Sequence, residues 1–393
     1  MINNFEQFDM LEYVKKLPLT ILAIDYTRPG SDFFQSLLDG HPQILQVTGT
    51  SLYKFDSFWR DCRKDEHDSI LDQFIYNSNH FQLFDSRFNI SERWNKLGVN
   101  KNEHFEVDIC NFKRHFLNLI SGKELSKINF FYAVHGAYWL AQGRKLEEVK
   151  MVFFHIHHLA AWDAYSEFKE PTVILMTRDI RDGWASYMEH VPIWSPHYYD
   201  PRKLLPTIRT YSSVFHHLKK FKRTYVLPIQ VLHRRPEDVL KNFCRINELE
   251  YIPEVLLQSS YHGKIWWGDV MSKEKNGFNP NFGSERKWTP FFRLFDNLMV
   301  ESIFFKIFNQ CGHEIQTRPF SRFFCRLFFF VLVFVPTNYE VRIVKFNLTK
   351  NRRKKSKTVL LLAYMYLMRV FYYIRGFYNY VIRKDSIRLD FLF

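Results

Sequence analysis

A chain of 393 residues, 46% hydrophobic and 18% aromatic, can bury a sizeable core as one large α/β domain or two smaller ones. Its five cysteines are odd in number, dispersed and without C-x-x-C spacing, which argues against a disulfide framework or structural zinc and suits a reducing compartment. The net charge of +14 is uneven: residues 318–393 hold 16 Lys/Arg against Glu340, Asp385 and Asp390, so the body before them is nearly neutral and no nucleic-acid partner is expected.

Residues 1–16 are polar and partly acidic, matching neither a signal peptide nor a signal anchor, so a cytoplasmic protein is expected. The run Leu19–Ile24 is apolar throughout, as a buried parallel strand requires. A turn with Arg28, Gly30 and Ser31 follows, then an apolar-periodic helix from Phe33 to Leu38 that Gly40 and Pro42 stop. A strand passing through a glycine turn into a helix N-terminus offers free amides and the positive dipole end to an anion, and Arg28 adds a forked cation. The segment predicts a phosphate-binding loop. It is not a Walker A loop, because neither the second glycine nor the lysine follows Gly30. Asp32 would repel a phosphate unless it turns away, and it reads as a helix N-cap with Gln35 completing a capping-box-like pair.

Residues 151–154 are strand-like and run into His155, Ile156, His157 and His158. Residues 173–176 form another buried-strand run ending at Arg178, with Ser186 inside the next helix. An arginine at a strand's C-terminal edge and a serine on the following helix can converge on one anion, where open α/β sheets bind ligands. A further strand is expected at 226–232, then Arg235, Pro236, Glu237 and a helix over 239–246; Ser284, Arg286, Lys287 and Trp288 come later.

The tail is basic and apolar together. Residues 327–335 are nine consecutive apolar residues, followed by the cluster Arg352, Arg353, Lys354 and Lys355. Residues 359–382 are rich in Leu, Tyr and Phe but carry Arg369 near the centre, and the first run is too short to span a bilayer. This pattern suits a segment lying among anionic headgroups on the inner face of the membrane, the alternatives being a helical layer packed on the core or an oligomer interface.

These motifs resemble those of sulfotransferases that use 3′-phosphoadenosine 5′-phosphosulfate (PAPS), in their bacterial or carbohydrate-type branch. Arg28, Gly30 and Ser31 match the loop [RK]-S-G-[TS]-[TS], with Pro29 and Asp32 departing from it, and Leu37, Leu38, His41, Pro42 and Ile44 match L-L-x-x-H-P-x-I. Residues 172–187, T-V-I-L-M-T-R-D-I-R-D-G-W-A-S-Y, match the second signature with Ile180 in place of proline. The resemblance implies a three-layer α/β fold with a mostly parallel central sheet over residues 1–317, plus the basic, aromatic helical segment 318–393. It implies donor contacts from Arg28, Pro29, Gly30, Ser31, Asp32, Phe33, Arg178, Ser186, Arg286 and Lys287. The last two belong to a loop that closes over the nucleotide.

The implied reaction moves a sulfuryl group from PAPS to a hydroxyl acceptor, with a carbohydrate or lipid-linked glycan as the expected class and no metal. Arg28 would serve catalysis by stabilising the leaving phosphate. For the base, the region 48–59 has no Glu and only Asp56, so a histidine, His157 or His158, is expected, with Asp56 behind. Two rivals stand: a non-catalytic membrane-associated protein on a degenerate sulfotransferase fold, and a P-loop kinase, against which the missing lysine argues.

Overall fold

The computed structural model describes residues 9–393 apart from 26, 50, 51, 53, 54, 63–66, 78, 79, 157, 158, 160–166, 195–204, 271–273, 275, 284–287, 339, 343, 346–354 and 384–389. Five short runs form one sheet: β1 (Leu19–Ile24), β2 (Ile44–Gln46), β3 (Met151–His155), β4 (Thr172–Thr177) and β5 (Arg223–Pro228). Their order is β2-β3-β1-β4-β5 and every pairing is parallel. All residues of β1 and β4 are buried, which is why both read as unbroken apolar runs rather than alternating ones.

The side chains alternate between two cores. Ile21, Ala23, Val173, Leu175, Val152 and Phe154 face one cluster, filled by the helices Met10–Lys16, Ile109–Ile120, Lys127–Ala141 and Leu294–Gln310. Leu22, Ile174, Met176, Met151 and Phe153 face the other, where Phe34 and Leu37 of the Ser31–Leu37 helix meet Val239, Leu240 and Phe243 of the Pro236–Ile246 helix. The fold is therefore a three-layer α/β architecture with a five-stranded parallel sheet.

Both boundaries of one strand differ from the expected 226–232, β5 starting three residues earlier at Arg223. β5 ends at Pro228, which lacks the N–H to continue a ladder, and the chain turns at once into the Ile229–Arg234 helix. Residues after 317 supply Cys325, Phe329, Val333, Met365, Val370 and Phe377 to the first core. The chain then returns beside β5, where the Val226 N–H donates to the Asp390 carbonyl at 2.8 Å.

β1 leads to β2 on one side and β4 leads to β5 on the other, so the connections diverge between two adjacent strands. That point, at their C-terminal ends, is where an open parallel sheet leaves a crevice. The wall beyond it is pinned by Arg181, whose side chain is fully buried. Arg181 pairs with Asp179 at 2.6 Å and Glu301 at 2.7 Å, donates to the Glu314 carbonyl, and lies 4.2 Å over the Trp288 ring. Removing the guanidinium leaves two buried carboxylates unpaired. Arg181→Ala should therefore lose about 3–5 kcal/mol of stability, read from denaturant unfolding.

Candidate anion-binding site

The site begins with one carboxylate. Asp25 follows β1 and is fully buried. It accepts from the Thr27 N–H at 3.0 Å, from the Thr27 and Thr177 hydroxyls, and from the Arg178 N–H. Burial pushes its pKa up to about 6, which leaves it ionised at neutral pH. The loops after β1 and β4 are thus held by one charge. Gly183, in the Ile180–Trp194 helix, brings them closer still: a Cβ there would lie 2.9 Å from the Thr27 Cα and carbonyl oxygen.

Arg28 sits in the left-handed region at φ 56°, a conformation rare for a residue with a side chain. Its Nη1 donates to Ser186 Oγ at 3.2 Å and its Nη2 meets Asp269 Oδ2 at 3.3 Å. Arg178 is 13% exposed, and its Nε has no hydrogen-bond partner among the described residues, although Asp182 stands 3.8 Å away. Burial, and the charge of Arg28, hold its pKa below the usual arginine value. Two guanidinium groups and a serine hydroxyl therefore meet at the strand ends, with one buried N–H unpaired. An anion satisfies all three.

The Ser31–Leu37 helix starts from Gly30, in the left-handed region at φ 76°, with no side chain capping it. This corrects the capping-box expectation. Gly30 is the N-cap, so Asp32 falls inside the first turn. Gln35 instead donates from Nε2 to the Val47 carbonyl at 3.0 Å, and its Oε1 meets His155 Nδ1 at 3.0 Å. Asp32 faces the site. Burial and the nearby Asp269 charge raise its pKa to about 7, while Arg28 opposes the shift. Glu92 is raised well above the ordinary carboxyl value by burial and by Asp32 and Asp269. Three carboxyl groups thus crowd the side of Arg28 away from Ser186.

The neighbours follow. Phe33 stacks on His233 at 4.9 Å, His233 on Phe282 at 4.4 Å, and Arg178 lies 5.2 Å over Phe282, an aromatic column from the loop to the arginine. Trp288 is buried beneath Arg181 rather than covering the site. Asp56 is occupied by Lys127 at 2.6 Å and Arg60 at 3.6 Å, so its carboxylate is bound in two ion pairs. His157, His158, Arg286 and Lys287 lie outside the described residues.

Sequence reasoning missed Asp25, Gly183, Glu92 and Asp269. Asp25 had a signal, a carboxylate directly after a buried apolar run, where it must find donors. Glu92 and Asp269 arrive from distant loops and had none.

No protein-family model and no curated protein matches the sequence. Among solved structures, a sulfotransferase domain from the curacin biosynthetic pathway is similar at 14% identity and a TM-score of 0.41, over 76% of this chain and 99% of that one. What the site does is read from its own residues.

Two outcomes test this geometry. Gly183→Ala forces the Thr27 backbone away and should weaken binding of inorganic sulfate, used as an anionic probe, by roughly tenfold or more, measured by titration with a melting curve beside it. Deprotonating Asp32 places a negative charge against Arg28, so affinity should fall by roughly five- to tenfold as pH rises from 6 to 8. The Asp32→Asn variant should flatten that profile, since sulfate itself does not titrate between pH 6 and 8.

Proposed function

We propose that the protein is a PAPS-dependent sulfotransferase acting on a hydroxyl acceptor, with a carbohydrate or lipid-linked glycan as the acceptor class. The observation that carries this reading is the meeting of Arg28, Arg178 and Ser186 at the C-terminal ends of β1 and β4. The donor has a phosphate on the ribose and a phosphosulfate at the other end, so it needs separate cationic contacts. Arg178 and Ser186 suit the ribose phosphate, with the unpaired Arg178 N–H as a ready donor. Arg28, Gly30 and Ser31 line the loop for the phosphosulfate.

In the transfer the acceptor oxygen forms a bond to sulfur, the bridging S–O bond of the donor breaks, and the acceptor proton passes to a base. Charge develops on the leaving phosphate, where Arg28 stabilises it. His157 or His158, which follow β3 in the sequence, is the proposed base for that proton. Asp32 competes for the role, with its raised pKa beside Arg28. Replacing each singly separates them: the true base loses kcat, with nucleotide affinity unchanged for a histidine and, for Asp32→Asn, compared near pH 6 where the native carboxyl is mostly protonated.

One observation favours a second reading, a non-catalytic protein on the same scaffold: Arg28 is already engaged by Asp269. Calorimetric titration with 3′,5′-adenosine bisphosphate decides. Micromolar binding that Arg178→Ala weakens by at least roughly tenfold, the worth of one charged hydrogen bond, supports the transferase. A well-folded wild type that binds nothing overturns it, and stronger binding of ATP than of the bisphosphate points to a kinase.

A further inference from the structure

The segment after residue 317 has its charges and its aromatics on unexpected sides. In the Pro319–Leu327 helix, Arg322 and Arg326 turn inward. Arg322 lies 4.4 Å over Phe305 and donates to the Thr317 carbonyl, and Arg326 donates to the Ser302 carbonyl at 2.8 Å. In the Lys355–Phe377 helix Arg369 is buried, paired with the Glu340 carboxylate at 2.8 Å and donating to the Val335 carbonyl at 3.1 Å. The charge near the centre of 359–382, which argued against a span, is thereby hidden inside the fold rather than turned toward headgroups.

The outward face is apolar. Phe320 is 71% exposed, Phe323 61%, Leu327 63%, Phe330 57% and Val331 71%. On the Lys355–Phe377 helix, Leu360, Tyr364, Leu367 and Phe371 recur at helical spacing on one exposed stripe. The two segments adjoin: Phe329 stacks on Phe377 at 4.0 Å, and the Tyr366 hydroxyl donates to the Phe334 carbonyl. So large and continuous an apolar exposure marks an interaction surface.

Charge identifies the occupant. Arg318, Arg342, Lys345 and Arg383 are exposed on this same C-terminal segment, whose sequence also carries Lys350, Arg352, Arg353, Lys354, Lys355 and Lys357. A second copy docked here would bring two such basic sets together. An anionic headgroup layer neutralises them. No helix among the described residues is long and apolar enough to cross a membrane.

We propose that residues 319–335 and the outward stripe of the Lys355–Phe377 helix form a face that inserts, lying flat, into the headgroup–acyl boundary of an anionic bilayer. Phenylalanine and leucine enter the acyl edge while the surrounding Lys and Arg contact lipid phosphates. The face is independent of the donor reading, because it shares no residue with the anion site.

Flotation of the full chain with vesicles of phosphatidylcholine alone, and of phosphatidylcholine mixed with phosphatidylserine, tests it. The protein should float with the mixed vesicles and retain part of that binding in high salt. A triple variant, Phe323→Ser, Val331→Ser and Leu367→Ser, should lose roughly tenfold or more in partitioning. Its residues are exposed, so its melting temperature and nucleotide binding should be unchanged. Equal flotation of the variant overturns insertion in favour of charge alone. A wild type that stays unbound to vesicles, and runs as a dimer that the same variant dissociates, overturns the lipid and makes the face a self-interface.

Discussion

Everything at the crevice depends on the buried carboxylate of Asp25. β1 and β4 are adjacent and parallel, with Ile24 beside Met176, but strand pairing alone does not set where their loops go next. Asp25 does so by taking hydroxyls and backbone amides from both sides at once. A charge in that position is costly unless its lone pairs are filled, so the two loops are not free to relax apart. Gly183 then permits helix and loop to touch at backbone distance. The convergence of Arg28, Arg178 and Ser186 is a consequence of these two constraints.

The site is balanced rather than simply positive. Asp32, Glu92 and Asp269 stand against Arg28, and full ionisation of all three would cancel its attraction for an anion. Burial and mutual repulsion oppose that, raising the Asp32 pKa to about 7 and that of Glu92 well above the ordinary carboxyl value. The Asp269 carboxylate, at 3.3 Å, holds the Arg28 side chain in place between it and Ser186. The arrangement keeps a strained arginine fixed without neutralising the crevice beside Arg178.

Most of the scaffold was legible because parallel strands buried on both faces leave unbroken apolar runs; β1 is the run Leu19–Ile24 itself. Arg178 and Ser186 were legible because strand end and helix face follow from local spacing. Three things were not. The start of the Ser31–Leu37 helix turns on Gly30 adopting a left-handed φ, which moved Asp32 from cap to site. The end of β5 turns on Pro228. Glu92 and Asp269 reach Arg28 from loops whose paths no local pattern encodes.

The tail shows how far a charge count can mislead. Sixteen cations suggest a solvated basic segment, but Arg322 and Arg369 are buried and Arg326 is half-buried, and together they satisfy carbonyls and one carboxylate. Burying arginine is costly, and exposing phenylalanine to water is costly as well. A water-facing layer would reverse both choices with the same residues. The sequence retains a buried ion pair and outward aromatics together, and the bilayer face proposed above would account for both, with Phe320, Phe330 and Leu367 meeting the acyl edge instead of water. On that side of the fold the apolar stripe is exposed, while Arg322, Arg326 and Arg369 are turned to backbone carbonyls and to Glu340.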